Sequence, residues 1–270
     1  MIERLQDGVT AGPEMGFFTD VTLCIGCKAC EVACKQWNQL PSDGFALTGD
    51  SYDNTGRLSS TTWRHVAFVE QMDRETPAAS RWMMMSDVCK HCTNAGCFEA
   101  CPTGAIVRNE FDDVYVQPDV CNGCGYCVPS CPFGVVAVQQ KSGVAQKCTL
   151  CYDRQKDGLE PACAKSCPTD SIQFGPVEEL RAKAKERVAA LREHGREAHL
   201  YGVDGEETRD VGPLNAFFLI PDRPEVFNLP PKPVLPSKFQ PEAYAVGLLA
   251  AMTMAVVGIS VFRGFREEPA

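Results

Sequence analysis

The spacing of the cysteines is the feature that most constrains what this chain can fold into. The 270 residues contain 16 cysteines, which fall into four groups of four. Two groups have the spacing C-x2-C-x2-C-x3-C, a third has four residues in its middle gap, and the last has eleven. The groups are Cys24, Cys27, Cys30 and Cys34; Cys89, Cys92, Cys97 and Cys101; Cys121, Cys124, Cys127 and Cys131; and Cys148, Cys151, Cys163 and Cys167. No cysteine is left over, so one kind of site used repeatedly accounts for the whole set.

Disulfide bonds and zinc are two uses of cysteine that this spacing disfavours. Three thiols in a C-x2-C-x2-C loop surround one point, whereas disulfides pair cysteines across a fold. Residues 1–20 carry charged side chains and no apolar run, so we expect no secretory signal and no oxidising compartment. Zinc sites usually combine two C-x2-C pairs, but each group here offers three close thiolates and a distant fourth. A zinc-binding assembly scaffold is kept as the alternative from another functional class.

Iron–sulfur chemistry accounts for the spacing. In bacterial ferredoxins the run C-x2-C-x2-C-x3-C-P places three thiolates on a tight loop around one [4Fe–4S] cluster, and its fourth cysteine binds the neighbouring cluster. Proline follows Cys101, Cys131 and Cys167. Lys35 follows Cys34 instead, which weakens the helix-ending signal there but not the prediction that Cys34 is a ligand. The sequence therefore predicts four [4Fe–4S] clusters, since soft thiolates suit iron and sulfide.

Short β-prone runs and turn-forming residues surround the cysteine groups. Each half-unit is expected to run strand, cluster loop, short helix, turn and strand. This repetition predicts an α+β fold with two ferredoxin-like two-cluster domains related by an internal repeat, plus one C-terminal transmembrane helix. The predicted strands are residues 17–18, 105–107, 114–116, 135–138 and 172–174, and the short helices are residues 31–34 and 98–101.

Four stretches around the cysteines resemble a known family. They are residues 17–38, 86–92, 121–127 and 147–154, and the resemblance extends from about residue 15 to about residue 230. The chain resembles the four-cluster, ferredoxin-like electron-transfer subunits of membrane-associated molybdenum or tungsten oxidoreductases, and most of all the beta (iron–sulfur) subunit of formate dehydrogenase. Subunits that serve sulfur-compound reductases, dimethyl sulfoxide reductases and hydrogenases share the same cysteine pattern. Trp37-Asn38 and later stretches such as residues 214–219 favour formate.

The resemblance implies how the cysteines are shared between clusters. The crossing of the fourth cysteine to a neighbouring cluster follows from the ferredoxin motif. The resemblance adds that groups one and four form one two-cluster domain and groups two and three the other. The implied ligand sets are Cys24, Cys27, Cys30 and Cys167 for cluster a; Cys34, Cys148, Cys151 and Cys163 for cluster b; Cys89, Cys92, Cys97 and Cys131 for cluster c; and Cys101, Cys121, Cys124 and Cys127 for cluster d.

Three side chains beside the cysteine loops are candidates for tuning the clusters. A cation or an N–H group near a cluster sulfur raises the reduction potential, and Lys28, Lys90 and His91 lie in such positions. The alternative is that they are solvated spacers. The chain contains no nucleophile–base pair and no glycine-rich phosphate loop, so no catalytic residue is predicted and the chain is not expected to be an enzyme on its own.

The remaining segments complete the predicted domain organisation. The insertion before group two is expected to be either a docking surface or a brace between domains. A helix is expected from Pro176 to about His194, and the proline-rich residues 221–241 should run extended. The predicted domains are residues 15–45 with 148–178 (ferredoxin-like domain A), 46–88 (insertion), 89–147 (ferredoxin-like domain B), 179–241 (helix and proline-rich strap) and 242–266 (transmembrane anchor).

Residues 243–262 form an uncharged segment bounded by Glu242 and Arg263. At about 1.5 Å per residue a helix of this length spans about 30 Å, the hydrocarbon thickness of a bilayer. Tyr244 and Phe262 stand at its ends, where aromatic side chains meet the membrane interface. A single membrane anchor is predicted, and the alternative is a buried terminal helix of a soluble complex.

The sequence and the resemblance together imply an electron relay. The net charge of −9 argues against binding nucleic acid, which needs clustered cations. The resemblance implies a molybdenum or tungsten catalytic alpha subunit that oxidises formate, and a haem-containing, quinone-reactive membrane subunit that receives the electrons in anaerobic respiration. It also implies attachment to the cytoplasmic membrane with the clusters on the extracytoplasmic face. The alternative is the same relay serving a sulfur-compound or sulfoxide reductase, or a hydrogenase.

Overall fold

The computed structural model describes residues 12–45, 47, 49, 51–73, 75–204 and 206–266. The chain divides into two compact units between Val234 and Leu235. All sixteen cysteines lie in the first unit, and the apolar C-terminal segment forms most of the second. Helices and strands are mixed along the first unit, as the α+β prediction requires.

Short strands and short helices alternate through the first unit. Its elements are β1 (Met15–Asp20), α1 (Ala29–Trp37), β2 (Arg64–Gln71), β3 (Arg81–Val88), α2 (Gly96–Glu99), β4 (Ile106–Arg108), β5 (Val114–Val116), β6 (Ala137–Val138), β7 (Ala145–Gln146), α3 (Tyr152–Lys156), α4 (Ala162–Lys165), β8 (Ile172–Pro176), α5 (Val177–Glu193), β9 (His199–Tyr201) and β10 (Ala216–Ile220). Single 3-10 turns occur at Val21–Leu23, Pro77–Ala79 and Pro224–Phe227. The predicted strands and short helices beside the cysteines all have counterparts among these elements.

A four-stranded sheet of order β8-β1-β10-β9 joins the start of the chain to its late segments. β1 is antiparallel to β8 and parallel to β10. All five residues of β10 are buried, because this strand is central and covered on both faces. The start of β10 and the residues before it also hold the second cysteine group, since Leu214 forms a β-bridge with Cys92 and the Ala216 N–H donates to the Lys90 carbonyl at 3.0 Å.

Two small hairpins follow cysteine groups two and three. β4 pairs with β5, and β6 pairs with β7, both antiparallel. Two-stranded hairpins of two or three residues are not stable alone and need a packed face. Here the packed face is shared with the thiols: the core that contains Ile106, Val114 and Val136 also contains buried cysteines from all four groups. The hydrophobic core of this unit is therefore organised around its cysteines.

The helix predicted after group four is confirmed. α5 covers Val177–Glu193 and packs on β1 and β8 through one apolar stripe. Arg187 also ties the helix to β1, since its Nε lies 2.9 Å from Asp20 Oδ2. The buried residues of the stripe are Val177, Leu180, Ala184, Val188 and Leu191.

The insertion between groups one and two contains a long hairpin. β2 and β3 pair antiparallel over eight positions, from Arg64 opposite Val88 to Gln71 opposite Arg81. Val66 and Met85, near the Arg64 end, are buried, whereas Trp82, at the other end, is 47% exposed. One end of the hairpin thus enters the cysteine-containing core and the other faces outward.

The second unit contains a 3-10 turn (Pro236–Phe239) and the helix α6 (Gln240–Arg266). Among the residues that the structure describes, one helical segment, Pro236–Arg263, is long and apolar enough to cross a membrane, by length and composition. The prediction that residues 221–241 run extended was wrong in part. Two 3-10 turns interrupt this stretch, because proline has a preset φ that suits the first position of a helical turn.

Candidate iron–sulfur cluster sites

Every cysteine group begins with the same local backbone feature. The second residue between the first two cysteines has a positive φ in all four groups: Gly26, His91, Gly123 and Leu150. Glycine adopts this conformation without cost, whereas His91 and Leu150 adopt it against the preference of their Cβ atoms, by about 1–2 kcal/mol. The shared turn folds each C-x2-C segment back, so that neighbouring thiols are directed to one region.

All sixteen cysteines are free thiols, and most are buried or half-buried. The four predicted for cluster a line one cavity together with Ser86 and Thr169. Burial raises the pKa of the Cys24 thiol, and the neighbouring thiols of Cys167 and Cys27 raise it further. Cys167 is thus brought to the first cysteine group from the opposite end of the cysteine-containing region.

The cysteines predicted for cluster b also lie together. The pKa of Cys34 is raised well above its ordinary range by burial and then by the thiols of Cys163 and Cys151. Burial likewise raises the pKa of Cys148, with Cys34 the next contributor. Cys34 therefore interacts with group four although it belongs to group one in sequence.

The fourth cysteines of groups two and three likewise lie near the thiols of the other group. Burial raises the pKa of Cys92 well above its ordinary value, and the thiols of Cys89, Cys131 and Cys97 add to the effect. Burial raises the pKa of Cys127 to about 11, and the thiols that add to this rise are Cys121, Cys124 and Cys101. Each predicted quartet lies together, while the cluster that each thiolate binds stays a prediction.

These raised pKa values describe thiols in the absence of iron. A thiol with a pKa of about 12, such as Cys30 or Cys151, is protonated at neutral pH. Metal binding requires the thiolate, so cluster assembly releases these protons and the bound iron compensates for the burial of negative charge.

Buried cations provide an independent test of whether the site suits an anionic cofactor. Arg64 and Lys147 are almost completely buried. Burial opposes their charged forms, but the surrounding thiols outweigh it and raise the pKa of both side chains. Among the described residues Arg64 donates to Ser86 and Cys163 and to no carboxylate, and its Nε–H has no hydrogen-bond partner. A [4Fe–4S] cluster with four thiolates is an anion, so its charge fits a region that already holds two buried cations.

Lys28, one of the three predicted tuning residues, lines the same cavity as the four thiols predicted for cluster a, but its ammonium group has other partners. Its Nζ donates to Thr55 Oγ1 at 3.1 Å and lies 3.7 Å from Glu31 Oε1. It also lies 5.5 Å from the centroid of the Phe68 ring. These contacts hold the side chain along the insertion, and its tuning role stays a prediction.

Lys90 and His91 are both buried in the loop of group two. Lys90 Nζ donates to the Asp87 carboxylate and the Val88 carbonyl, and its charge lowers the pKa of Cys92 against the larger effect of burial. His91 is neutral, because burial holds its pKa well below the ordinary value. Its Nδ1 accepts from the Val114 N–H at 3.2 Å, so Nε2 carries the hydrogen, and this atom has no partner among the described residues. The Nε2–H is available to an acceptor such as a cluster sulfur.

Sequence reasoning did not identify Arg64 and Lys147. Lys147 directly precedes Cys148, so a search for cations beside each cysteine would have found it. Arg64 had no such signal, because it is 99 residues from Cys163, to whose Sγ its Nη2 donates at 3.2 Å. The pairing of β2 with β3 and the packing of β2 on α1 bring it to the cysteines.

Comparisons with known proteins agree with this arrangement of cysteines. Residues 23–105 and residues 80–177 each match a family model described as a 4Fe-4S dicluster domain. Two such domains and sixteen cysteines fit four [4Fe–4S] clusters.

The curated relatives include subunits of two kinds of oxidoreductase. The formate dehydrogenase iron-sulfur subunit of Haemophilus influenzae is 41% identical over 81% of this chain and 69% of the relative. The formate dehydrogenase-O iron-sulfur subunit of Escherichia coli is 37% identical over 97% of this chain and 91% of the relative. The B subunit of the anaerobic dimethyl sulfoxide reductase of Escherichia coli is 35% identical over 63% of this chain and 77% of the relative. The chain therefore belongs to the family of formate dehydrogenase iron–sulfur subunits, which are the electron-transfer subunits of oxidoreductase complexes.

Proposed function

We propose that this chain relays electrons through four [4Fe–4S] clusters from a formate-oxidising molybdenum or tungsten subunit to a haem-containing, quinone-reducing membrane subunit. The clusters supply the one-electron chemistry when bound, and the protein determines their spacing, insulation and potentials. The chain itself is not catalytic. It only transfers electrons from one partner subunit to the other.

The observation that carries this proposal is which of the four predicted quartets of thiols lie next to one another. Thiols of neighbouring quartets influence one another's pKa at three places, and each place connects a different pair of quartets. Such interactions support an unbranched series a–b–c–d with no isolated member. The interacting thiols are Cys30 with Cys163 and with Cys34 between a and b, Cys148 with Cys89 between b and c, and Cys97 with Cys127 between c and d.

The ends of this series are the accessible positions. Cys27 of the predicted cluster a and Cys124 of the predicted cluster d are the two exposed thiols. Apolar side chains beside them are also open to solvent, since Ile25 is 59% exposed and Tyr126 is 63% exposed. An electron donor and an electron acceptor can each approach one end, and apolar exposed side chains suit such contacts.

We further propose that α6 anchors the chain in the cytoplasmic membrane as a single span, with the clusters on the extracytoplasmic face. Its length and apolar composition support a span. Two polar side chains of the helix form hydrogen bonds with its own backbone: the Thr253 and Ser260 hydroxyls donate to the carbonyls of Leu249 and Val256, respectively. No hydroxyl of these two residues is left without an acceptor in hydrocarbon.

A sulfoxide reductase is the second candidate for the catalytic partner. This chain aligns with 77% of the length of the dimethyl sulfoxide reductase subunit, so the same relay suits either partner. In that case electrons flow from the membrane subunit to the catalytic subunit.

The test is purification of the intact complex without oxygen, followed by iron and acid-labile sulfide analysis. The proposal requires about sixteen iron atoms per chain, four for each cluster. Formate should bleach the iron–sulfur absorbance of the complex, whereas dimethyl sulfoxide should not reoxidise it. Reoxidation by dimethyl sulfoxide with no response to formate would support the second candidate. A colourless protein filled with zinc would refute both.

A further inference from the structure

We propose that Arg64, directly and through Ser86, is a positioning residue that raises the reduction potentials of clusters a and b. This inference rests on the proposed electron-transfer function. It assigns the cysteine-facing end of the insertion a role that neither a docking surface nor a mechanical brace would have.

One guanidinium reaches thiols of two different quartets. Arg64 Nη2 donates to Cys163 Sγ, a predicted ligand of cluster b, at 3.2 Å. Arg64 Nη1 lies 3.4 Å from Ser86 Oγ, and that oxygen lies 3.2 Å from Cys30 Sγ, a predicted ligand of cluster a. The planar fork of arginine allows both contacts at once, which the single ammonium of lysine does not.

The surrounding structure fixes the guanidinium in place. Arg64 is 1% exposed, and its Cζ lies 4.6 Å from the centroid of the Phe17 ring in β1. Its backbone pairs with Val88 in the β2–β3 hairpin, directly before Cys89. Burial of a guanidinium costs free energy, and Arg64 has no carboxylate ion pair among the described residues. The negative charge of the thiolates and clusters must therefore offset this cost.

The effect on potential follows from charge. Reduction adds one negative charge to a cluster beside a fixed cation in a region from which water is excluded. The interaction is then more favourable in the reduced state, and the potential rises. A hydrogen bond to a cluster thiolate acts in the same direction, because it withdraws electron density from the sulfur.

The experiment is an anaerobic potentiometric titration of the whole complex, followed by electron paramagnetic resonance, with wild-type, Arg64→Gln and Arg64→Lys chains. In Arg64→Gln two of the four midpoint potentials should fall by about 59 mV each. For one electron this corresponds to a tenfold decrease in the equilibrium constant for reduction. The other two should not move. Arg64→Lys should retain most of the wild-type potentials, because it keeps the charge.

Arg154→Gln is the matched control. This guanidinium also lies near a predicted ligand of cluster b, since its charge lowers the pKa of Cys151 against the larger effect of burial. It is only half-buried and packs on Trp37, with Cζ 4.2 Å from the ring centroid. Water screens its charge, so its removal should shift a midpoint by much less than the loss of Arg64.

Unchanged midpoints in an Arg64→Gln complex with full iron content would overturn the inference, as would equal shifts in Arg64→Gln and Arg64→Lys. If Arg64→Gln does not retain its iron, the same titration of Ser86→Ala tests the inference, because this variant removes only the hydroxyl between Arg64 and Cys30. One midpoint should then fall, and four unchanged midpoints would refute the role. The wild-type iron content and its reduction by formate test the proposed function separately.

Discussion

Replacing Cys24 and Cys34 together by alanine distinguishes crossed from sequential ligand sets. If each group of four bound its own cluster, both residues would be ligands of one cluster. In the crossed arrangement Cys24 belongs to cluster a and Cys34 to cluster b. The structure favours crossing, because the thiols that raise the pKa of Cys34 most are Cys163 and Cys151, both from group four.

The expected iron contents follow directly. Four clusters hold about sixteen iron atoms. Loss of both Cys24 and Cys34 should remove two clusters in the crossed arrangement and leave about eight iron atoms, whereas sequential ligation would leave about twelve. The matched variant with Cys24→Ala and Cys167→Ala gives the opposite result: about twelve for crossed ligation and about eight for sequential ligation.

Iron and acid-labile sulfide, measured on the anaerobically purified complex and normalised to protein, provide the readout. The single Cys34→Ala variant calibrates how much iron the loss of one ligand removes. Equal iron in the two double variants, or more iron in the Cys24 and Cys34 pair than in the Cys24 and Cys167 pair, would refute the crossed assignment.

Three further predictions concern the fold, its pH dependence and the anchor. Gly123→Ala should lower thermal stability and the iron of one cluster, because Gly123 has φ +73° and a Cβ there would collide with the Gly143 carbonyl oxygen; an unchanged melting temperature and iron content would contradict this. Burial raises the pKa of Asp113 from 3.8 to about 7, so the folded state retains a proton that the unfolded state has lost, and stability falls as pH rises across that interval. Asp113→Asn should therefore raise the melting temperature more at pH 8 than at pH 6. The gain in free energy of unfolding at pH 8 should not exceed about 4 kcal/mol, and an equal gain at both pH values would show that charge is not the cause. A chain without residues 242–266, expressed without partner subunits, should keep its iron and leave the membrane fraction, whereas the full chain should resist carbonate extraction; membrane retention of the truncated chain would refute the anchor.

The sequence predicted the features that depend on local chemistry. The spacing of the cysteines reflects a short loop around one cofactor, and the apolar stripe of α5 reflects helical periodicity, so both are visible within a few residues. The strands of the β4–β5 hairpin were also predictable, because two β-prone runs lie there, whereas β7, the partner of β6, was not predicted. The proline-rich stretch was less predictable, since proline suits both an extended chain and the first position of a 3-10 turn.

Features that depend on distant segments were not predictable in the same way. Nothing near Arg64 in sequence indicates that it contacts Cys163, and nothing near β10 indicates that it lies between β1 and β9. The insertion was recognised as a segment, but its role depends on which of its ends reaches the cysteines. These are products of tertiary pairing, which residue spacing along the chain does not encode.

The central sheet cannot close until β10 has been synthesised. β1 precedes both of its neighbours, β8 and β10, and Phe17 pairs with Ala216. Until then β1 has an unpaired edge, and unpaired strand edges promote aggregation of a nascent chain. The first cysteine loop waits for Cys167 and Thr169, which line its cavity. Retention of iron by cluster a is thereby coupled to synthesis of the fourth cysteine group, because a shorter chain has the first thiols but no enclosed site.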